Sequence, residues 1–411
     1  VTYKILYNDA VAMTGGQPVD GPVSVEAVAH SLRAEGVQRI AVVSDEPSRF
    51  AAASFPPSVT FHDRAALDAV QRELREIPGV TALIYAQPCA TETRRRRKRG
   101  TAPAPQRLAV ANELVCEGCR DCSVASNCLS VEPVETEFGR KRRINQSSCN
   151  QDLSCLDGFC PSFVTLEGAR RRRAEPDTSL LERASRLPDP ALPALDGPRD
   201  ILVTGVGGTG VITVGAVAAM AAHLQGLGAS VLDFTGFAQK FGPVLSYLRL
   251  APTPAALHQL RIDLGAADAL IGCDIVVSTS ARATSTYRPG TRAVVNTAAM
   301  PTGDVVRHRD AGLDVPRRLR ALRAALGEGK VAAVDANALA ERLCGDAIYA
   351  NMLMLGMAWQ AGLLPLSPAA LMRAIELNGV EVERKRLAFA LGRLAAADPA
   401  SLDPPKPAPA E

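Results

Sequence analysis

Residues 201–224 read ILVTGVGGTGVITVGAVAAMAAHL, and this stretch decides the fold class of the second half of the chain. The apolar run ILVT predicts a buried strand, the glycines predict a tight turn, and the alanine-rich segment predicts a helix. Residues 201–232 contain no Asp, Glu, Lys or Arg, which in a hydropathy plot resembles a membrane span. Because glycines, His223 and Gln225 interrupt the run, we predict strand, turn, helix and strand of an α/β domain instead.

The glycines of this turn form a GxGGxG loop between the strand and the helix. Such a loop lets backbone N–H groups approach an anion closely at a helix N-terminus. Asp233 ends the next predicted strand, where an acidic residue can hold a ribose hydroxyl in a nicotinamide or flavin site. The same loop also occurs as a structural turn or as a cradle for another phosphate, so the sequence leaves its ligand open. The glycines are Gly205, Gly207, Gly208 and Gly210.

The first 105 or so residues alternate between strand-like and helix-like patterns. The predicted strands are YKILYN, RIAVVSD and TALIYAQ, and the predicted helices begin after Ser24 and within DRAALDAVQRELREI. This alternation is typical of an α/β layer, and polar residues follow the strand ends, where open α/β sheets bind ligands.

The loop after the first strand, residues 8–17, reads NDAVAMTGGQ. A polar side chain and exposed carbonyl groups at a strand end suit Mg²⁺, a hard cation that prefers oxygen ligands and bound phosphate. The alternative is a glycine-containing turn with an Asx-type hydrogen bond.

Seven cysteines lie within residues 116–160, between the α/β pattern of the first 105 or so residues and the glycine loop. Three of them form a Cys-x2-Cys-x2-Cys run, and the seventh, Cys160, is followed by Pro161. The run and the Cys-Pro pair together are typical of an iron–sulfur cluster. Zinc is disfavoured, because structural zinc uses two separated pairs and residues 116–160 contain no histidine. A disulfide framework is disfavoured in a long chain with an ample core. The cysteines are Cys116, Cys119, Cys122, Cys128, Cys149, Cys155 and Cys160.

The spacing predicts one [4Fe–4S] cluster and leaves a second one open. By the Cys-Pro pattern, Cys160 completes the set that the run begins. The remaining three, Cys128, Cys149 and Cys155, could hold a three-ligand cluster, use Cys89 as a fourth ligand of a second cluster, or be structural thiols. Cys273 and Cys344 lie in apolar contexts and are predicted to be core residues.

Charge and composition narrow the function classes. The formal net charge is +3, so bulk electrostatics predict no nucleic-acid partner. Basic runs at residues 94–99, 141–143 and 170–173 are either solvated connectors or surfaces for docking or for tuning a cluster. We find no targeting or membrane-spanning pattern, and the thiol-rich segment predicts a cytoplasmic protein.

Several segments, in order along nearly the whole chain, resemble the 2-oxoacid:ferredoxin oxidoreductases. YNDAVAMTGGQPVDG resembles the end of their thiamin diphosphate domain. The segments QPCATETRRRRKRG, residues 116–163, ILVTGVGGTGVITVGAVAA and IYANMLMLGMAWQAGLLPLS resemble the fused, single-chain indolepyruvate ferredoxin oxidoreductases.

The resemblance implies an α/β fold class and a domain order. Residues 1–105 would be the C-terminal part of a thiamin diphosphate-binding domain, and 106–175 a cysteine-rich iron–sulfur module. Residues 176–198 would be a proline-rich linker, 199–395 a Rossmann-like gamma domain, and 396–411 a tail. Because the chain opens with Val1 in a strand-like run, we expect it to be a fragment that lacks an N-terminal thiamin-binding part and is inactive alone.

The resemblance also implies site residues. The Mg²⁺ of thiamin diphosphate would be bound by the side chain of Asn8 and the carbonyl of Ala10, with Gly15 and Gly16 in the same loop. The GDG aspartate of the family would lie before Val1. No residue is assigned to catalysis.

The implied activity is oxidative decarboxylation of a 2-oxo acid, such as indolepyruvate or another arylpyruvate. Coenzyme A would accept the acyl group, and electrons would pass through the cluster to ferredoxin, in an enzyme expected to be a homodimer. Two alternatives remain: a flavin- or NAD-linked iron–sulfur electron-transfer subunit, and a non-catalytic electron-transfer or assembly fragment.

Overall fold

The computed structural model describes residues 1–8, 10, 20–21, 23–98, 100–103, 105–169, 178–235, 242–300 and 312–403. The chain divides into two compact units. The first contains Val1–Gln106 together with Asn150–Asp152, and the second contains Arg107–Cys149 and Leu153–Glu411.

The first unit is a parallel sheet flanked by helices. The strands β1 (Thr2–Tyr7), β2 (Arg39–Ser44), β3 (Thr60–Asp63) and β4 (Thr81–Ala86) pair in the order β1-β4-β2-β3. The helices are α1 (Val25–Ala34), α2 (Leu67–Glu76) and α3 (Ala90–Lys98). The predicted strand–helix alternation is confirmed, and Ser24 caps α1 by accepting a hydrogen bond from the Ala27 N–H at 3.1 Å.

Helices cover both faces of this sheet. On one face Ile40, Val42 and Ile84 pack with α1, and on the other Val43 and Leu83 pack with α2. A sheet that is covered on both faces offers its strand ends as the place where a ligand can reach it.

Residues 94–98 of the basic run that follows β4 lie in helix α3. Glu92 is only 3% exposed and pairs with Arg95 at 3.4 Å and Arg96 at 3.5 Å, within α3. Of the other basic runs, residues 170–173 lie outside the described residues.

The second unit begins with a small cysteine-rich region built from two antiparallel strand pairs. Strand β5 (Arg107–Ala111) pairs with β8 (Phe163–Glu167), and β6 (Val131–Thr136) pairs with β7 (Gly139–Ile144). The short helix α4 (Asp121–Ser126) lies between β5 and β6 in the chain.

The larger part of this unit is a mixed sheet. Its strands are β9 (Arg199–Val206), β10 (Gly228–Phe234), β11 (Pro243–Ala251), β12 (Ala267–Gly272), β13 (Tyr287–Asn296) and β14 (Val331–Val334), and within the described residues they pair in the order β10-β11-β9-β12-β13-β14. Strands β9, β12, β13 and β14 are parallel, whereas β11 runs antiparallel between β9 and β10.

Helices cover both faces of the mixed sheet. They are α5 (Thr178–Ser185), α6 (Val211–Leu224), α7 (Ile275–Ser278), α8 (Ala281–Thr284), α9 (Val315–Leu326), α10 (Ala336–Cys344), α11 (Ala350–Gln360), α12 (Pro368–Asn378) and α13 (Val382–Ala397). One apolar core lies between the sheet and α6 with α10 to α13, and the other lies between the sheet and α7 with α9. Cys273 and Cys344 are 6% and 2% exposed, which confirms both as core residues.

Two glycines allow α11 and α13 to pack with their backbones almost in contact. A Cβ atom on Gly356 would lie 2.0 Å from the Phe389 carbonyl oxygen, and one on Gly392 would lie 2.0 Å from the Leu353 carbonyl oxygen. No side chain fits at either position, so this helix pair depends on both glycines.

The apolar glycine-loop segment forms strand β9 and helix α6, as predicted. Helix α6 has 14 residues. In the described part of the chain, no helix combines the length and the apolar character that crossing a bilayer requires.

A buried ion pair joins neighbouring strands of the mixed sheet. Arg249 of β11 donates from Nε and Nη2 to the two carboxylate oxygens of Asp200 in β9, at 2.6 and 2.8 Å. Both side chains are at most 10% exposed. Removing one partner leaves a buried charge without compensation.

We expect Arg249→Met to lower the free energy of unfolding of the second unit by about 3–5 kcal/mol, the cost of breaking a buried pair. Arg183→Met is the matched control, because Arg183 pairs with Asp398 at the surface, with side chains 51% and 43% exposed. It should cost less than about 1 kcal/mol. Urea unfolding followed by the fluorescence of Trp359, which is fully buried in this unit, measures both. Equal losses in the two variants would contradict the prediction.

Candidate functional site

The carboxyl ends of the parallel strands in the first unit surround a cavity of about 670 Å³. Asn8 follows β1, Asp45 follows β2, Arg64 follows β3 and Gln87 follows β4, and all of them line it. The sequence predicted ligand binding at strand ends in general, and the register of the sheet brings these particular residues together.

Helix α3 and residues 150–152 complete the lining of this cavity. Arg97 donates from Nη1 to the Asn150 carbonyl oxygen at 2.9 Å. The Nε of Arg97 and the Oδ1 of Asn150 are buried and have no hydrogen-bond partner among the described residues. Both residues line the cavity, but these two atoms are themselves shielded from it.

Asn8 makes the Asx-type turn contact that the sequence offered as the alternative to Mg²⁺ binding. Its Oδ1 accepts from the Ala10 N–H at 3.4 Å, an Asx-type contact at the long end of the hydrogen-bond range. Ala10 is 7% exposed. A carbonyl oxygen has a second lone pair, so this contact leaves Asn8 able to bind a cation. Gly15 and Gly16 lie outside the described residues.

The antiparallel ladder of β5 and β8 joins the two ends of the cysteine segment. Ala111 pairs with Phe163, and the Asn112 N–H donates to the Ser162 carbonyl oxygen at 2.7 Å. The loop that carries Cys116 and the loop that carries Cys160 therefore leave the same end of the ladder. This topology brings the predicted distant ligand toward the Cys-x2-Cys-x2-Cys run.

Cys116 and Cys119 both act electrostatically on the thiol of Cys122. Burial raises the pKa of the Cys122 thiol, and the negative charges of Cys116 and Cys119 raise it further, while hydrogen bonds from Ser123 oppose the shift. Cys116 is buried, Cys122 is half-buried and Cys119 is exposed.

The other cysteines of the segment meet on neighbouring elements. Val131 pairs with Ile144 at the open end of the β6–β7 hairpin, so Cys128 and Cys149 flank the same end. Cys155 lies in a 3₁₀ turn, Ser154–Leu156, that packs against α4, the helix that carries Cys122. Cys155 therefore lies beside the helix that carries Cys122, and Cys128 and Cys149 lie at one end of the hairpin.

In the ranges that the structure describes, no three His, Cys, Asp or Glu side chains enclose a single metal ion. A four-iron cluster makes a different demand, because each thiolate binds its own iron atom at a different corner. The surroundings of the run fit such a group. The Gly118 N–H points to Cys116 Sγ at 3.4 Å, and the Ser130 N–H points to Cys128 Sγ at 3.4 Å, as donors do around cluster thiolates.

Gly118 gives a second sign of fit within the run. Its φ is +69°, and a Cβ atom there would lie 2.3 Å from the Arg140 carbonyl oxygen. Only glycine fits this position, so the loop between Cys116 and Cys119 lies directly against β7. Arg120 and Asn127, at φ of 79° and 47°, also adopt the left-handed conformation that non-glycine residues rarely use.

A buried arginine is the third sign. Arg142 on β7 is 3% exposed, and its Nε has no hydrogen-bond partner in the described part of the chain. Burial lowers the pKa of its guanidinium, and the thiolate charges of Cys122 and Cys116 raise it. Its location in the basic run 141–143 was visible in the sequence, but its burial was not.

The glycine loop of the second unit has structural contacts that account for its glycines. The Gly207 N–H donates to the Gly242 carbonyl oxygen at 2.8 Å, so it is already engaged. A Cβ atom on Gly205 would lie 2.5 Å from Val211 Cγ2. Asn351 donates from Nδ2 to the Thr209 carbonyl oxygen at 2.9 Å and holds the loop from outside. Gly208 and Gly210 have positive φ, which the turn requires.

Asp233 does not lie where a ribose-binding acid would. It is on β10, which the antiparallel strand β11 separates from β9 and its glycine loop. Two strand spacings, about 10 Å, therefore lie between them. This arrangement favours the structural turn over a nicotinamide or flavin site.

Sequence reasoning missed several residues of these sites. Arg64, Arg97 and Asn150 line the cavity although they lie far apart in the chain. The signal that could have found Arg64 is its position directly after a strand. Nothing local marks Asn150, because only the fold brings residues 150–152 into the first unit.

Comparisons with known proteins bear on the second unit. Residues 200–394 match the sequence model of a family described as pyruvate ferredoxin/flavodoxin oxidoreductase. The chain is 28% identical over 204 residues to the indolepyruvate oxidoreductase subunit IorB of Pyrococcus horikoshii, a match that covers 48% of this chain and 95% of that protein.

Two solved structures match a similar share of the chain. The pyruvate oxidoreductase subunit PORC of Thermotoga maritima is 18% identical with a TM-score of 0.35, over 48% of this chain and 96% of that one. The gamma subunit of a keto/oxoacid ferredoxin oxidoreductase from Geobacter sulfurreducens is 21% identical with a TM-score of 0.35, over 48% and 98%. Residues 200–394 are therefore similar in sequence to the pyruvate ferredoxin/flavodoxin oxidoreductase family and to the subunit IorB.

Proposed function

We propose that this chain is part of an oxidoreductase that oxidatively decarboxylates 2-oxo acids and passes the electrons through an iron–sulfur cluster to ferredoxin. The observation that carries the proposal is the family match of residues 200–394, in a unit that also contains the Cys-x2-Cys-x2-Cys run. A redox family domain and a thiolate set suited to electron transfer support the same activity.

The cysteine-rich region would hold the cluster. Cys116, Cys119 and Cys122 would bind three irons, and Cys160, which the β5–β8 ladder brings to the same end, would bind the fourth. When bound, the cluster supplies one-electron transfer. The chain's own groups would place the thiolates and donate hydrogen bonds to their sulfurs. Cys128, Cys149 and Cys155 would matter less, because they lack one ligand for a second conventional site.

The cavity of the first unit would hold the diphosphate and Mg²⁺ of thiamin diphosphate. Asn8 Oδ1, in the cavity wall, and the carbonyl of Ala10, two residues further on, would be Mg²⁺ ligands. The guanidinium of Arg97, which also lines the cavity, would pair with phosphate oxygens. When bound, thiamin supplies the carbon nucleophile and electron sink for decarboxylation. The side chains here bind and orient the cofactor, and none is assigned a proton transfer.

The remaining parts of the proposal rest on likeness to relatives. Indolepyruvate or another arylpyruvate as substrate follows the name of the Pyrococcus relative. Coenzyme A as acyl acceptor, a homodimer, a further thiamin-binding part of the enzyme, and a cytoplasmic location are proposed with it. The domain order proposed is thiamin-type domain, iron–sulfur module, linker and gamma domain.

The flavin- or NAD-linked alternative has less support. A nucleotide site of this kind requires the glycine loop and Asp233 to contact the same bound nucleotide. The antiparallel strand β11 lies between the strands that carry them. The engaged Gly207 N–H also removes one donor that a diphosphate would use.

The cluster can be tested directly on this chain. After anaerobic reconstitution with iron and sulfide we expect about four iron atoms per chain, with the absorbance and paramagnetic signal of a [4Fe–4S] cluster. Cys119→Ala should abolish both, because it removes a ligand from one corner. Iron and zinc analysis with electron paramagnetic resonance measures the outcome.

Cys344→Ala is the matched control for this experiment. It makes the same chemical change in a core cysteine on α10 and should leave the iron content unchanged. Zinc in place of iron, or a full cluster signal in Cys119→Ala, would show that the cluster assignment is wrong.

The Mg²⁺ site can be tested in the complete enzyme. Asn8→Leu should weaken thiamin diphosphate binding by roughly 10-fold or more at saturating Mg²⁺, because it removes an oxygen ligand, and even the loss of a group that only supports a ligand costs roughly 10–100-fold. Ala10→Gly should change it little, because the carbonyl remains. Titration with thiamin diphosphate measures both, and the cluster spectrum should be unaffected in each variant. Unchanged cofactor affinity in Asn8→Leu would leave Asn8 as a turn residue only.

A further inference from the structure

The residues of the basic run 141–143 have different surroundings, although the sequence makes them look alike. Arg142, opposite Pro133 in the β6–β7 hairpin, is 3% exposed. Arg143 has a side chain 54% exposed and reaches Glu132 at 3.5 Å. Lys141 is half-buried. Side chains alternate across a strand, so Lys141 and Arg143 lie on the face opposite Arg142.

Burial of a guanidinium costs free energy unless a negative charge or hydrogen-bond acceptors offset the loss of water. Arginine keeps its charge in proteins, so it cannot escape the cost of burial by losing a proton. Arg142 has neither an ion pair nor a side-chain hydrogen bond with any described residue, and its Nε is orphaned. The contrast is Arg249, which is similarly buried and holds both oxygens of Asp200. Among the described residues, Arg142 is thus a buried positive charge that no carboxylate pairs with.

The groups around Arg142 point to what compensates it. The loop between Cys116 and Cys119 lies against the strand that carries Arg142, because a Cβ atom on Gly118 would lie 2.3 Å from the Arg140 carbonyl oxygen. The charges that act on Arg142 are those of Cys122 and Cys116, which are negative, and those of Arg120 and Arg140, which are positive. An additional cation here would raise the cost of burial, so the missing partner is an anion next to the thiolates. An iron–sulfur cluster with its thiolate ligands is such an anion.

We propose that Arg142 is the buried counter-charge of the cluster held by Cys116 and Cys122, and that it raises the reduction potential of this cluster. The inference rests on the proposed function, because it assumes the cluster. Arg142 is a positioning and tuning residue, and it does not bind iron.

The direction of the effect follows from charge. Reduction adds one electron to the cluster and makes or breaks no bond, so its negative charge grows by one. A nearby fixed positive charge stabilises the reduced form more than the oxidised form. Because Arg142 is shielded from water, salt screens this interaction less than it screens the exposed Arg143.

The test is a redox titration of the reconstituted 411-residue chain with dithionite as reductant, followed by visible absorbance and electron paramagnetic resonance. Arg142→Gln should lower the reduced-to-oxidised ratio at a fixed potential about tenfold, a shift of about 59 mV for one electron. Lys141→Gln is the matched control, because it removes the same charge from the opposite face of the same strand. Arg142→Lys keeps the charge and should keep the potential close to that of the unaltered chain.

The outcomes distinguish a role of the positive charge of Arg142 from a role of its side-chain shape. An iron-loaded Arg142→Gln with an unchanged potential, or with a shift no larger than that of Lys141→Gln, would overturn the proposal. If Arg142→Gln loses iron while Arg142→Lys keeps both iron and potential, the positive charge is needed to hold the cluster, which supports it. Loss of iron in both variants would assign Arg142 a role in shape and overturn it. An unaltered chain that takes up no iron would instead overturn the proposed function.

Discussion

Parallel strand pairing is the constraint on which the binding geometry of the first unit depends. Strands that run in one direction bring their carboxyl ends to the same edge, and helices cover both faces of the sheet. The residues that follow β1, β2, β3 and β4 therefore meet at that edge whatever their separation in sequence. The cavity there carries amide, carboxylate and guanidinium groups, the mixture that a diphosphate and a divalent cation require.

The second unit shows how one strand changes what such an edge can do. Strand β11 runs antiparallel between β9 and β10, and Gly242, the residue before it, supplies the carbonyl that accepts from the Gly207 N–H of the glycine loop. The loop is thereby held as a turn, and Asp233 is displaced from it by the width of a strand. The sequence of the loop is therefore similar to that of dinucleotide-binding domains. The sheet, however, does not bring an acidic residue on the next strand beside the loop.

Much of the fold could be predicted from local patterns. The alternation in residues 1–105, the Ser24 cap and the strand–turn–helix at residues 201–224 depend on near neighbours in the chain, and the structure has them all. The antiparallel insertion of β11 could not be predicted, because an apolar strand has the same pattern in either direction. The burial of Arg142 depends on how the β6–β7 hairpin packs against the cysteine loops, and so does the need for glycine at Gly118. Such long-range contacts leave no periodic signal in a single sequence.

The proposed function requires that electrons from a 2-oxo acid reach a cluster held by the cysteines of this chain. The most direct measurement is the absorbance of the cluster in the complete enzyme, kept without oxygen and supplied with thiamin diphosphate, Mg²⁺ and coenzyme A. Addition of indolepyruvate should bleach the cluster and produce the paramagnetic signal of its reduced form, while NADH alone should do neither. Bleaching by NADH with no response to indolepyruvate, phenylpyruvate or pyruvate would contradict the claim.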